Sequence, residues 1–252
     1  MLILLSAIWG SAFFAIKLSL NEFSPIAVAS FRLIIASIFL LFFYFLQKKI
    51  IKFTRESFFL LFLIGIIGNF IPFYLISWAE QYIPSSTAGM LMAIGPIVTL
   101  IMSHFLTADD KFNFIKFTSV IVGFVGVTLI FNINSLDDLF SNSSIDLIAK
   151  SLVVLAAFGY MFSNILAYEK LKHIDSFTIT TFATTFGAIF SVPFLIFDDS
   201  YLISNPDLNS IGALIYLGIF PTAIAFQFRY YITKTSGPVF LSYVAYLIPA
   251  FA

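Results

Sequence analysis

The chain has 252 residues, 60% of them hydrophobic and 10% charged, with a mean hydropathy of +1.03. Soluble domains run near 45–50% apolar and about 25% charged, so this chain has too little polar surface to cover a water-facing globule, and an integral membrane protein is expected. No cysteine, two histidines and thirteen basic against thirteen acidic residues leave no disulfide, no thiolate or multi-histidine metal site and no nucleic-acid signature; none of the glycines forms a nucleotide-binding loop.

A membrane span needs roughly 20 mostly apolar residues. The apolar stretches are continuous rather than alternating, so they are expected to be helices, and nine are predicted: 2–20, 26–47, 58–80, 85–106, 112–132, 147–168, 176–197, 210–233 and 237–252. The fold class is therefore an all-α polytopic membrane protein. The first stretch has no basic region before it and joins the second through a five-residue turn, unlike a cleavable signal. The longest connection is the polar segment 132–146.

Basic residues set the expected orientation. Lys48, Lys49, Lys52, Arg55, Lys111, Lys116, Lys170, Lys172, Arg229 and Lys234 fall on one side, against Lys150 on the other. Glu22, Glu80, Asp137, Asp138, Asp146, Asp198, Asp199 and Asp207 fall on the far side. The N-terminus and the basic loops are expected to face the cytoplasm, in an inner (plasma) membrane.

A shift of 153 lays residues 61–99 on 214–252 without a gap, matching Gly65 to Gly218 and Pro96 to Pro249. A shift of 149 lays helix 1 on helix 6, matching Gly10 to Gly159. The halves start from opposite sides, which predicts an inverted-topology repeat with a site near the midplane. The expected units are residues 1–132 with helices 1–5, a 133–146 linker outside the cytoplasm, and 147–252 with helices 6–9. A partner for helix 5 is lacking, so a truncated tenth helix is expected.

The segments WGSAFFAIKLSL (9–20), VASFRLIIAS (28–37) and WAEQYIPSSTAGMLMAIGPIVTLIMS (78–103) resemble EamA-type members of the drug/metabolite transporter superfamily. The resemblance covers essentially the whole chain. It implies two five-helix repeats, the second incomplete, and transport of a small metabolite, with export of an amino acid or similar solute favoured. The Asp109-Asp110-Lys111 loop departs from the Glu-Arg start common in relatives, with no functional consequence expected.

Lys17 lies three residues from the outer end of helix 1, about 4.5 Å, and Arg32 six residues into helix 2, about 9 Å. A charge at depth normally faces a cavity or a partner, which favours a cavity-facing or pairing role for Arg32; Lys17 can equally snorkel or pair with Glu22. Pro96 and Pro249, at equivalent positions in helices 4 and 9, are expected to free carbonyls at Met92 and Ala245 and to serve gating, with Pro72 and Pro221 breaking helices 3 and 8 comparably.

Polar side chains near mid-span are the substrate candidates: Trp9, Ser11, Asn69, Tyr74, Tyr160, Thr222, Gln227 and Tyr230, with Arg32. They suit an uncharged or zwitterionic solute in a cavity between helices 1, 3, 4, 6, 8 and 9. The 34 phenylalanines are spread over every helix and read as lipid-facing filler. Lys17, Glu22 and Glu80 are placed at the outer mouth, and no acid falls in the middle third of a span, which favours facilitated diffusion or exchange over proton coupling.

The expected function is a secondary transporter working by alternating access without cofactor or metal. A membrane channel or a non-transport intramembrane enzyme is the alternative. Expected partners are the solute and the lipid bilayer; the protein is taken as a monomer, with a dimer left open.

Overall fold

The structure, a computed structural model, describes residues 1–47, 53–130, 143–199, 201 and 205–251. The expectations for Lys48, Lys49, Lys52, Asp137, Asp138 and most of the 133–146 linker lie outside the described residues.

Among the described residues, nine helical elements follow in chain order: α1 (Leu2–Ser19), α2 (Pro25–Leu46), α3 (Arg55–Ala79), α4 (Ser85–Leu106), α5 (Phe114–Ile130), α6 (Ser144–Lys170), α7 (Ser176–Ile196), α8 (Leu208–Ser236) and α9 (Pro238–Ala250). Among the described residues, seven are long and apolar enough to cross a membrane, and α5 and α9 are shorter apolar helices. The protein is an all-α, multi-pass membrane protein.

Helix starts follow local chemistry. Thr54, Asp175 and Asp207 occupy N-cap positions and accept from the backbone N–H groups of Ser57, Thr178 and Ser210 at 3.1, 3.2 and 2.7 Å. Each satisfies one of the donors that a helix leaves unpaired at its first turn. Ser24 caps α2, whose first residue is Pro25, a position where the missing N–H costs nothing.

Three helices are interrupted in ways that matter for the site. α3 and α8 contain π-helical segments, Ile66–Phe70 and Gly218–Ile224. The 153-residue shift carries the first onto 219–223, inside the second. Pro72 and Pro221 follow or fall within them, as the sequence led us to expect of these breaks. α4 breaks at Ala93 and Ile94, just before Pro96. Pro249 differs from its expected mid-helix place. The break in α9 comes earlier, at Tyr243, and Pro249 sits in a terminal 3-10 turn, Ile248–Ala250.

Close backbone approach fastens the helices. A Cβ on Gly65 would lie 2.5 Å from the Ala183 carbonyl oxygen and 2.8 Å from the Gly187 nitrogen, so α3 and α7 touch main chain to main chain. Gly126, by contrast, has nothing within 4 Å of such a Cβ and serves no contact.

Candidate substrate cavity

α1, α2, α3, α4, α6, α8 and α9 line a partly open cavity of about 80 Å3. Sequence reasoning anticipated this set except α2, which contributes Arg32. One water needs roughly 10–15 Å3 on this measure, so the space holds several waters or a small solute body.

The wall is apolar and aromatic. Trp9, Phe13, Phe73, Tyr160 and Phe226 surround the space with Ile16, Ile76, Met92 and Ile248. Phe13, Phe73 and Phe226 correct the reading of the phenylalanines as lipid-facing filler, although many others, including Phe14, Phe45 and Phe105, are exposed on the bundle surface.

Two guanidinium groups project into this wall. Arg32 is 4% exposed, stacks 3.6 Å from the Phe73 ring centroid and donates from Nε to Thr222 Oγ1 at 3.2 Å. Its terminal amino groups have no hydrogen-bond acceptor among the described residues. Arg229 is 1% exposed and largely satisfied. It donates to Asn164 Oδ1 at 2.5 Å, Ser163 Oγ at 2.7 Å, and the carbonyl oxygens of Tyr160 and Gly68 at 3.2 and 3.3 Å. Arg229 therefore does not belong with the loop cations that set orientation. It lies seven residues inside the end of α8, about 10 Å at the helical rise.

The proline sites feed the same cluster. Pro72 has no N–H for the Gly68 carbonyl, and Arg229 takes that oxygen. Pro221 likewise has no N–H for the Leu217 carbonyl, and Thr222 Oγ1 donates to that oxygen at 2.7 Å while accepting from Arg32. Trp9 Nε1 donates to the Pro221 carbonyl at 3.1 Å.

Of the nine substrate candidates, Trp9, Arg32 and Tyr160 line the cavity. The other six do not. Ser11 bonds Tyr216 at 2.6 Å, joining α1 to α8. Asn69 is fully buried, with neither amide atom partnered among the described residues. Tyr74 packs at the edge of a core cluster with Phe70 and Phe73. Thr222 acts from behind, through Arg32. Gln227 Oε1 accepts from Thr180 at 3.3 Å, and Tyr230 is buried beside Ala183 with its hydroxyl unpartnered among the described residues. Arg229, Phe73, Phe226 and Asn164 were missed.

Hydrogen bonds tie loops and helix ends together at both ends of the bundle. At one, Glu22 Oε2 accepts from the Asp207 N–H at 2.6 Å, Ser24 Oγ donates to the Asp198 carboxylate, and Lys17 Nζ donates to the Glu80 carbonyl at 2.5 Å. At the other, Tyr168 donates to Asp109 at 3.0 Å, the Ala108 N–H donates to Glu169 at 3.3 Å, and the Val239 N–H donates to Asp110 at 3.0 Å. The hydrogen bond from Tyr168 holds the Asp109 carboxyl below the usual range. The Asp109-Asp110 loop thus ties α4 to the ends of α6 and α9, a structural role not expected from the sequence. Lys150 is 6% exposed and paired with Asp146 at 2.5 Å.

Glu80 is not at an open mouth. It is fully buried one residue past the α3 span, with Oε2 accepting from Ser85 at 3.3 Å and Oε1 unpartnered among the described residues. Burial pushes its carboxyl well above the usual range, against smaller opposing effects from Ser85, Lys17 and Arg32.

A multi-pass helical bundle with a central, aromatic-walled cavity and buried cations has the form of a membrane transporter. Residues 1–132 and 147–252 match the EamA-like transporter family, and the chain belongs to that family. An uncharacterized transporter of Archaeoglobus fulgidus is 31% identical over 223 residues, covering 88% of this chain and 75% of the relative. The uncharacterized transporter YdfC of Bacillus subtilis is 27% identical over 251 residues, covering 99% and 78%. A solved crystal structure with 17% identity superposes with a TM-score of 0.74 over 99% of this chain and 84% of its own, a likeness of fold.

Proposed function

We propose that the protein is a secondary transporter that exports a small metabolite, an amino acid or similar polar solute, across the inner membrane by alternating access. The carrying observation is one cavity lined by helices from both 1–132 and 147–252, with polar contacts joining these parts at each end of the bundle. Such contacts are individually weak, about 0.6 kcal/mol for an average interhelical hydrogen bond in a membrane, so either end can part without unfolding the bundle. The coincident π segments and the sequence shift support two inverted halves as the moving bodies. The excess of basic residues in one set of loops supports a cytoplasmic N-terminus. The protein works as a non-catalytic monomer.

Cysteine accessibility tests the reading in a background that contains no cysteine. In intact cells, a cysteine at Asp207 is expected to label from outside and one at Lys111 only after permeabilisation; the reverse overturns the topology. In proteoliposomes of the full-length protein, saturable counterflow is expected. A steady, current-carrying open state would favour a channel instead.

A further inference from the structure

Arg32 poses an unresolved electrostatic problem. It is 4% exposed, yet its hydrogen bonding among the described residues is a single bond from Nε to Thr222. The Phe73 face covers one side of the guanidinium plane, leaving its edge as the open donor surface. A buried charge without a counter-ion is costly, and the cost is relieved when an anion supplies both charge and acceptors.

The surrounding charges do not supply that anion. The residues lining the cavity include no Asp or Glu, and Arg229 adds a second positive charge satisfied by neutral acceptors. Glu80 is the acid that acts electrostatically on Arg32, but its hydrogen bond is to Ser85, and it does not line the cavity. Lys17 is engaged with the Glu80 carbonyl at the rim.

We propose that the outward edge of Arg32 is the anchor for a substrate carboxylate, and that the transported solutes are small carboxylates with a short apolar body. This rests on the transporter reading and names its substrate class. A planar guanidinium matches a carboxylate through two parallel hydrogen bonds, which a lysine cannot reproduce. The apolar wall receives the body, and the volume limits its size. At about 80 Å3 the cavity is roughly half of the 150 Å3 cavity known to hold benzene, so a branched aliphatic group fits better than a ring. The wall offers no carboxylate to an ammonium group, so the carboxylate, present alike in amino acids and simple organic acids, is the recognised element.

Trp9 lines the cavity and Trp78 does not, which provides an optical reporter. In the full-length protein carrying Trp78→Phe, Trp9 fluorescence is titrated with 3-methylbutanoate, valine, valinamide and isobutylamine. Both carboxylates are expected to saturate the signal with dissociation constants within about threefold of each other, and the amide and the amine to bind at least tenfold more weakly. Valine alone would identify an amino acid site that needs the ammonium and would overturn the assignment. Equal binding of the amide or amine, or no response to either carboxylate, would also overturn it.

Arg32→Gln is expected to lose at least tenfold in affinity for both carboxylates, and Arg32→Lys to recover only part of it. Should Arg32→Gln fail to fold, the acid–amide comparison on the arginine-bearing protein decides alone. Counterflow of the same four compounds separates the two readings. Carboxylate binding without flux would sink the transporter and leave the anchor. Flux of valinamide or isobutylamine with no carboxylate binding would sink the anchor and leave the transporter.

Discussion

Replacing Arg229 with methionine tests whether this buried cation holds the bundle together. Methionine is similarly long and unbranched, so it occupies much of the same space while removing every donor. Four hydrogen bonds are lost: to Asn164, Ser163, and the Tyr160 and Gly68 carbonyls. At the membrane average of about 0.6 kcal/mol each, four bonds sum to roughly 2.4 kcal/mol. Leaving a buried neutral acceptor unmatched costs about 1–3 kcal/mol, whereas removing a guanidinium's desolvation cost works the other way. The expected loss is therefore about 2–4 kcal/mol. Equilibrium unfolding by SDS in mixed micelles measures it, with Asn164→Ala, which deletes one acceptor, expected to lose about 1 kcal/mol. A methionine variant within 0.5 kcal/mol of the parent on this scale, or more stable, would refute the reasoning and show that desolvation outweighs the bonds.

Gly65→Ala drives a methyl into the α7 backbone at 2.5 Å and should destabilise by about 1–3 kcal/mol, while Gly126→Ala, with nothing within 4 Å, should be neutral or slightly stabilising; equal effects in the same assay would refute the packing argument. Glu80 binds a proton more readily folded than unfolded, so stability should fall as pH rises above the ordinary glutamate value of about 4.3 and level off above the folded-state pKa. Glu80→Gln should flatten that slope in a thermal-shift series, and an unchanged slope would refute the assignment.

The bundle was legible because lipid leaves helices few alternatives, and long apolar runs mark them directly. Arg32 was legible because a charge deep in such a run demands a cavity or a partner. The remaining site was less legible because depth in a span says nothing about facing. A soluble helix reveals its buried face by the contrast of apolar with polar residues, but a helix apolar on all sides carries no such contrast. Phe73 and Phe226 are therefore indistinguishable by type from lipid-facing phenylalanines. The π segments add a second obstacle, since an i→i+5 turn shifts the phase of everything beyond it. Trp9, Arg32 and Tyr160, the candidates that line the cavity, stand on uninterrupted helices. Asn69 and Thr222 fall inside π segments, and Tyr74, Gln227 and Tyr230 follow them. Ser11, on the uninterrupted α1, lies off the cavity because it faces α8.

The same π segments explain why the cavity can hold two cations at all. Each proline withholds an N–H from a backbone carbonyl at depth, and a carbonyl in lipid must find a donor. The Gly68 carbonyl opened by Pro72 in α3 is met by Arg229 from α8. The Leu217 carbonyl, to which Pro221 in α8 offers no N–H, accepts from the Thr222 hydroxyl, which also holds Arg32 from α2. The arrangement is crossed: a break in residues 1–132 is satisfied by a cation from residues 147–252, and a break in 147–252 supports a cation from 1–132. Prolines and arginines that are each costly alone satisfy one another when they meet. Residues placed at separate stages of the chain thus form one polar unit at the cavity wall, in which Thr222 joins Arg32 to the α8 break.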